Sequence, residues 1–333
     1  MRIPYPALLF LGAGDDLAAK TAHGIRHWRP DWCLGQLRLP GATAELRLPD
    51  LTPAAAARLG AKSLIIGVAN PGGFVPDEWL PTLVAALEAG LDIAAGLHDR
   101  LSDIPVLRST AQRLGRALHD VRHPPASGFP VGNGCKRPGK RLLTVGTDCS
   151  VGKMFTSLAL ERELHRRGVH ADFRATGQTG IFIAGGGVSV DAVVSDFVAG
   201  AAETLSPANE VEHWDLIEGQ GSLFHPAYAG VTMGLIHGSQ PDALVLCHAT
   251  GRARMDDCPD YEPPSLEEAL DLNLRVARRT NPNAQFVGIA INTSALDKNA
   301  AHALLADTQE RLQLPCCDPV RTGVANIVDH LLR

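Results

Sequence analysis

The residues Gly146-Thr147-Asp148-Cys149-Ser150-Val151-Gly152-Lys153-Met154 combine types and spacing suited to holding phosphate. A G-x-x-x-x-G-K loop between an apolar run (141–145) and an amphipathic segment (155–167) curls successive backbone N–H groups around an anion. The helix start adds partial positive charge and Lys153 a full one. The position after the lysine, where Ser or Thr ordinarily grips magnesium, is Met154. The loop is therefore expected to hold phosphates with one standard metal contact missing, unless Thr156 or Ser157 compensates.

Further chemistry gathers where other apolar runs end. His213 to Ile217 leads into Glu218-Gly219-Gln220-Gly221-Ser222, a carboxylate followed by two glycines that let the backbone approach a ligand closely, with His225 in the same loop. Ala171 to Arg174 enters Ala175-Thr176-Gly177-Gln178-Thr179-Gly180, where Arg174, Gln178 and later Ser222 are candidates for substrate contact. Asp191 opens a segment (190–198) that reads as a helix, as a site carboxylate or as its cap. Ala243 to Cys247 ends at His248, and the run 286–291 ends at Asn292-Thr293-Ser294, a polar edge suited to a purine base. Glu218, Asp191, His225 and His248 are the candidate general bases, with no order among them. Cys149 is a secondary candidate acyl carrier. No metal centre is expected, since Cys316-Cys317 are adjacent and poor joint ligands for zinc.

The elements that must position these residues read as two α/β domains over 333 residues. In the first, strands at 7–11, 33–37, 63–68 and 91–95 alternate with helices at 16–28, 78–89 and 110–121, which predicts a parallel Rossmann-like sheet. A turn is expected at 69–73. Gly12-Ala13-Gly14 lacks the third glycine of a dinucleotide fingerprint, Leu17 standing there, so a tight turn is preferred to NAD(P) binding. The predicted division is residues 1–122, a linker over 123–140 carrying four prolines and four glycines, and a P-loop NTPase-like domain over 141–333. A net charge of −5 gives no footprint for nucleic acid. No apolar run reaches the roughly eighteen residues of a membrane span. Seven cysteines without a framework spacing fit reduced thiols and a cytoplasmic location. The expected partners are a small-molecule substrate and further copies of the same chain.

The G-T-D-C-S-V-G-K loop and the D-L-I-E-G-Q-G-S stretch resemble dethiobiotin synthetase and its amidotransferase relatives, over the second domain alone. Over its whole length the chain resembles domain-of-unknown-function family 1611, through G-T-D-C-x-V-G-K-M at Gly146 to Met154 and T-G-Q-T-G at Thr176 to Gly180. One branch of that family holds D-glutamate N-acetyltransferases that use acetyl-CoA. The resemblance implies transfer of an acetyl group from acetyl-CoA to the amine of D-glutamate or a related amino acid, with the loop on coenzyme A phosphates. That donor needs no catalytic magnesium, which fits Met154. Two alternatives stay open. One is an ATP-dependent kinase or ligase of dethiobiotin synthetase type using Mg-ATP, with Glu218 and Asp148 on the metal. The other is a regulatory protein that senses a nucleotide or coenzyme A without chemistry.

Overall fold

The computed structural model describes residues 2–69, 72–125 and 127–333. Asn70 and Pro71, at the centre of the turn expected over 69–73, lie outside the described residues, as does Ala126 of the linker. Contacts divide the chain into two units, Met1–Pro124 with Gly177–Ala192, and Pro125–Thr176 with Val193–Arg333. A short excursion from the second half of the sequence therefore packs with the first, a discontinuity outside the expected division at 122 and 141.

In the N-terminal unit β1 (Ala7–Gly12), α1 (Lys20–Trp28), β2 (Cys33–Arg38), α2 (Pro53–Arg58), β3 (Ser63–Ile66), α3 (Leu80–Glu88), β4 (Asp92–Ala95), α4 (Pro105–Leu114) and β5 (Leu118–Asp120) follow in turn. The strands form one parallel sheet in the order β2-β1-β3-β4-β5. Residues Ala7 to Leu11 are wholly buried, as an interior strand of a parallel sheet covered on both faces requires. The helix expected over 110–121 is displaced. It ends at Leu114 because Gly115 adopts the left-handed conformation (φ 63°) that terminates helices, and residues 118–120 then form the edge strand β5. The predicted helix 16–28 also begins later, at Lys20, after turns over residues 15–19.

The C-terminal half of the sequence runs through β6 (Lys140–Gly146), α5 (Lys153–Arg166), β7 (Ala171–Arg174), α6 (Gln178–Ala184), α7 (Val198–Leu205), β8 (Trp214–Ile217), α8 (Ala229–Ser239), β9 (Ala243–Ala249), α9 (Leu266–Ala277), β10 (Gln285–Asn292), α10 (Lys298–Leu312), β11 (Cys316–Cys317) and α11 (Ala325–Leu331). Its sheet is parallel throughout, in the order β11-β10-β9-β6-β8-β7. Strand side chains alternate between the faces. Leu142, Leu216 and Val245 join one core with Leu160 and Leu164 of α5 and Ile327 and Val328 of α11. Leu143, Ile217 and Leu244 join the other with Ile236 of α8 and Ala269 of α9. The chain leaves β6 toward β7 and β8, and leaves β9 toward β10 and β11. The carboxyl ends of β6 and β9 thus form the point where connections diverge and a crevice opens, the place where open parallel sheets bind ligands.

Two readings of the second half change. Residues 190–198 are not one helix but two 3₁₀ turns, Val190–Ala192 and Ser195–Phe197, preceding α7. The Thr/Gly turn at 175–180 contains the start of α6, which belongs with the N-terminal unit.

Candidate functional site

The glycine-framed loop lies at that divergence point. β6 ends at Gly146, and Lys153 is the first residue of α5, preceded by Gly152 in a left-handed conformation (φ 103°) that side chains disfavour. At Gly146 a β-carbon would lie 2.8 Å from Val151 and 3.1 Å from the Lys153 ammonium, so only glycine leaves the loop room. Lys153 folds back and donates from Nζ to the Asp148 carbonyl at 2.8 Å. Burial pushes its pKa below the ordinary lysine value, a penalty that an arriving anion would offset. The Glu218-Gly219 turn closes over its stem. A β-carbon at Gly219 would sit 1.7 Å from the Thr144 carbonyl oxygen and 3.0 Å from Lys153 Cδ. Gly219 N instead donates to Thr144 Oγ1 at 3.0 Å.

Neither hydroxyl near Met154 replaces the missing metal contact. Thr156 Oγ1 donates to the Gly152 carbonyl (3.0 Å) and accepts from Cys247, while Ser157 Oγ pairs with Thr144 Oγ1 at 3.1 Å. Asp148 is also engaged. Its Oδ1 accepts from Cys149 N (2.6 Å), and its Oδ2 accepts from Arg252 Nη1 (2.8 Å) and Asp256 N (2.9 Å). Donor atoms of Asp148, Cys149 and His225 fall within 4.8 Å of one another. With both Asp148 oxygens and both His225 nitrogens hydrogen-bonded, this set fits a divalent metal poorly.

The candidate bases differ sharply in what they already hold. Glu218 is buried, and its carboxylate accepts from Thr176 N at 2.9 Å while its carbonyl accepts from Thr176 Oγ1. It fastens the end of β7 to the end of β8. His225 is buried against Tyr228. Its Nδ1 accepts from Ala227 N (3.2 Å), which leaves the proton on Nε2 to be donated to the Asp256 carbonyl (2.9 Å). Ser222 is buried, and its Oγ accepts from Phe224 N at 3.2 Å within the same loop. His248 differs: Nδ1 lies 2.9 Å from Thr147 Oγ1, and Nε2 has no hydrogen-bond partner among the described residues. Burial first, then the nearby Arg252 charge, hold its pKa below the ordinary imidazole value. The Cys149 thiol is pushed up by burial, which disfavours it as an acyl carrier.

The expected substrate contacts already hold partners within the protein. Arg174 is committed to an ion pair, its Nε donating to Asp215 Oδ1 (2.8 Å) and its Nη2 to Asp172 Oδ2 (3.2 Å). Both acids lie two residues back along the paired strands, about 6–7 Å from the carboxyl edge. The guanidinium therefore runs away from the phosphate loop. Gln178 and Asp191 belong to the N-terminal unit. With its amide oriented to satisfy both neighbours, Gln178 donates to the Gly96 carbonyl (2.8 Å) and accepts from Arg122, and Asp191 pairs with the same arginine at 3.0 Å. Arg122 was not singled out in the sequence, although it stands two residues after β5.

The residue most clearly missed is Arg252. It reaches from the loop after β9 to Asp148, the Cys149 carbonyl (2.8 Å) and the Ser150 carbonyl (3.1 Å). Its position just past His248 at a strand end was its only sequence signal. Beside the loop lies a pocket of about 410 Å³, walled by Phe155, Val320 and Pro319, with Asn292 and Ser294 on its polar side. Those two residues belong to the polar segment at the end of β10.

Fold and site together define a P-loop protein of the parallel α/β type joined to a Rossmann-like unit. The chain belongs to the DUF1611 family: the model of the family's P-loop domain matches residues 130–328, and that of its Rossmann-like domain residues 38–124. Two curated relatives, from Tritonibacter scottomollicae and a Pseudoalteromonas species, are 54% and 48% identical over 99% of this chain and 99% and 100% of theirs. Both are named D-glutamate N-acetyltransferase. The crystal structure of a DUF1611 family protein from Anabaena variabilis superposes with a TM-score of 0.84 at 36% identity, covering 99% of each chain.

Proposed function

We propose that this chain is a D-glutamate N-acetyltransferase and that acetyl-CoA is its donor. The observation that carries the choice of donor is a phosphate loop with a buried Lys153, beside which Met154 supplies no metal-binding hydroxyl and both Asp148 oxygens already accept hydrogen bonds. Coenzyme A brings phosphate groups and an adenine to such a site without asking it for metal-assisted phosphoryl transfer. The loop amides and Lys153 take phosphate. The adjacent pocket, of ordinary ligand size, takes the base, with Phe155 and Val320 as apolar walls and Asn292 and Ser294 toward polar edge atoms. Backbone N–H groups of a glycine turn stabilise the oxyanion of the tetrahedral intermediate. The amine attacks the thioester directly, so no acyl-enzyme is required. All seven cysteines are free thiols, which fits a reducing cytoplasm.

The test is thiol release from acetyl-CoA in EDTA without ATP, across a panel of D- and L-amino acids. Free coenzyme A appearing with D-glutamate supports the reading. Magnesium-dependent ADP formation with a carboxylate, and no thiol release, would replace it with the ATP-dependent one.

A further inference from the structure

We propose that His248 is the general base that deprotonates the acceptor amine, with Thr147 of the phosphate loop setting its tautomer; this rests on the acetyltransferase reading above. The placement comes from topology. β9 pairs directly with β6, Gly146 lying opposite Cys247, so His248 stands at the mouth of the crevice where the connections of β6 and β9 diverge. Thr147 N donates to the Cys247 carbonyl at 3.1 Å, which fixes loop and strand end against each other. Thr147 Oγ1 then lies 2.9 Å from His248 Nδ1. With the proton on Nδ1 and donated to Thr147 Oγ1, Nε2 carries the lone pair of this anchored ring, and the same hydrogen bond supports the imidazolium once Nε2 is protonated.

The other candidates at this edge hold structural partners. Glu218 ties β7 to β8 through Thr176, and His225 spends one nitrogen accepting from Ala227 and the other donating to Asp256. The charged groups around His248 favour its neutral form. Arg252 on its own loop repels a second positive charge, Asp148 of the phosphate loop is bonded to that arginine, and the Lys153 ammonium of α5 is turned to the Asp148 carbonyl.

The step balances as follows. One proton of the acceptor ammonium passes to His248 Nε2 and later to solvent. The freed nitrogen lone pair forms the N–C bond to the thioester carbonyl. Collapse of the tetrahedral intermediate breaks the C–S bond, and the leaving thiolate takes a second proton from nitrogen, giving the acetamide and free thiol.

The test compares wild type with His248→Gln and His248→Ala in the full chain, reading thiol release against pH and acetyl-CoA affinity by calorimetry. His248→Gln is expected to lower kcat by about 100-fold, within the usual range for removal of a general base, with acetyl-CoA affinity unchanged. It also removes the acid-side fall of kcat/KM for D-glutamate that wild type shows as His248 protonates below its ordinary pKa. Thr147→Val, which keeps the backbone bond to Cys247, lowers kcat with the acid limb retained. A variant that keeps wild-type kcat and the same acid limb overturns the assignment. So does a kcat loss that matches the loss of acetyl-CoA affinity, which would mark His248 as structural. Wild type releasing no thiol with D-glutamate would instead overturn the acetyltransferase reading itself.

Discussion

Arg252 and Asp148 meet at 2.8 Å on the phosphate loop, although 104 residues separate them. Asp148 is almost completely buried and Arg252 about a quarter exposed. The same guanidinium holds two loop carbonyls, of Cys149 and Ser150. With those carbonyls turned toward a cation, Arg252 fixes the course of the loop between Asp148 and Ser150.

Arg252→Met is therefore expected to raise the Kd for acetyl-CoA at least 10-fold and to lower Tm, because it strands a buried carboxylate. Arg252→Met combined with Asp148→Asn should recover part of the Tm, since no uncompensated charge remains. Calorimetry and thermal melts on the three variants check both points. A double variant less stable than the single one would show that the pair is not the cause.

Lys153→Ala removes the ammonium that the loop's own motif supplies. The expected outcome is a KM for acetyl-CoA raised by at least about 10-fold, the scale of a lost charge-assisted contact, with the KM for D-glutamate changed far less. Steady-state kinetics with each substrate varied in turn decide this. Equal changes in both would argue against the loop as donor site.

Two glycines give a paired test of packing. Gly219→Ala drives a β-carbon into the Thr144 carbonyl and should abolish acetyl-CoA binding and depress Tm sharply. Gly230→Ala, in α8, meets nothing within 4 Å and should raise stability by up to about 1 kcal/mol through helix propensity. Denaturant melts of both variants distinguish a requirement for space at the turn from a general intolerance of substitution.

Acid stability supplies a fourth prediction. Arg166 and then Arg167 hold the Glu163 carboxyl down at about 2, against an ordinary value of 4.5. A carboxylate depressed in the folded state contributes fully above its unfolded pKa, and the contribution fades as pH falls from about 4.5 toward 2. The Tm gap between wild type and Glu163→Gln should thus be present at neutral pH and narrow through that window. A gap that widens in acid would contradict it.

Residues 141–167 were legible because strand, loop and helix are contiguous there. Gly146, Gly152 and Lys153 carry their meaning in local spacing, and Ala171–Arg174 was legible for the same reason. Short or interrupted elements were less so. Leu118–Asp120 reads as the tail of a helix until Gly115 ends it, and its three residues become a strand only by pairing with β4.

By itself the sequence determined the phosphate loop, the loss of its magnesium hydroxyl at Met154, the two-domain parallel α/β class and the set of polar residues at strand ends. Only the tertiary structure decided which of those residues remain free to act. Arg174 is paired with Asp172 and Asp215, His225 bonds Ala227 and Asp256, Asp191 pairs with Arg122 and Glu218 accepts from Thr176, while His248 Nε2 has no hydrogen-bond partner among the described residues. Local periodicity encodes which face a residue takes within its own strand or helix. Whether its charge is already spent depends on partners that reach it only when distant strands pair, and no local pattern carries that information.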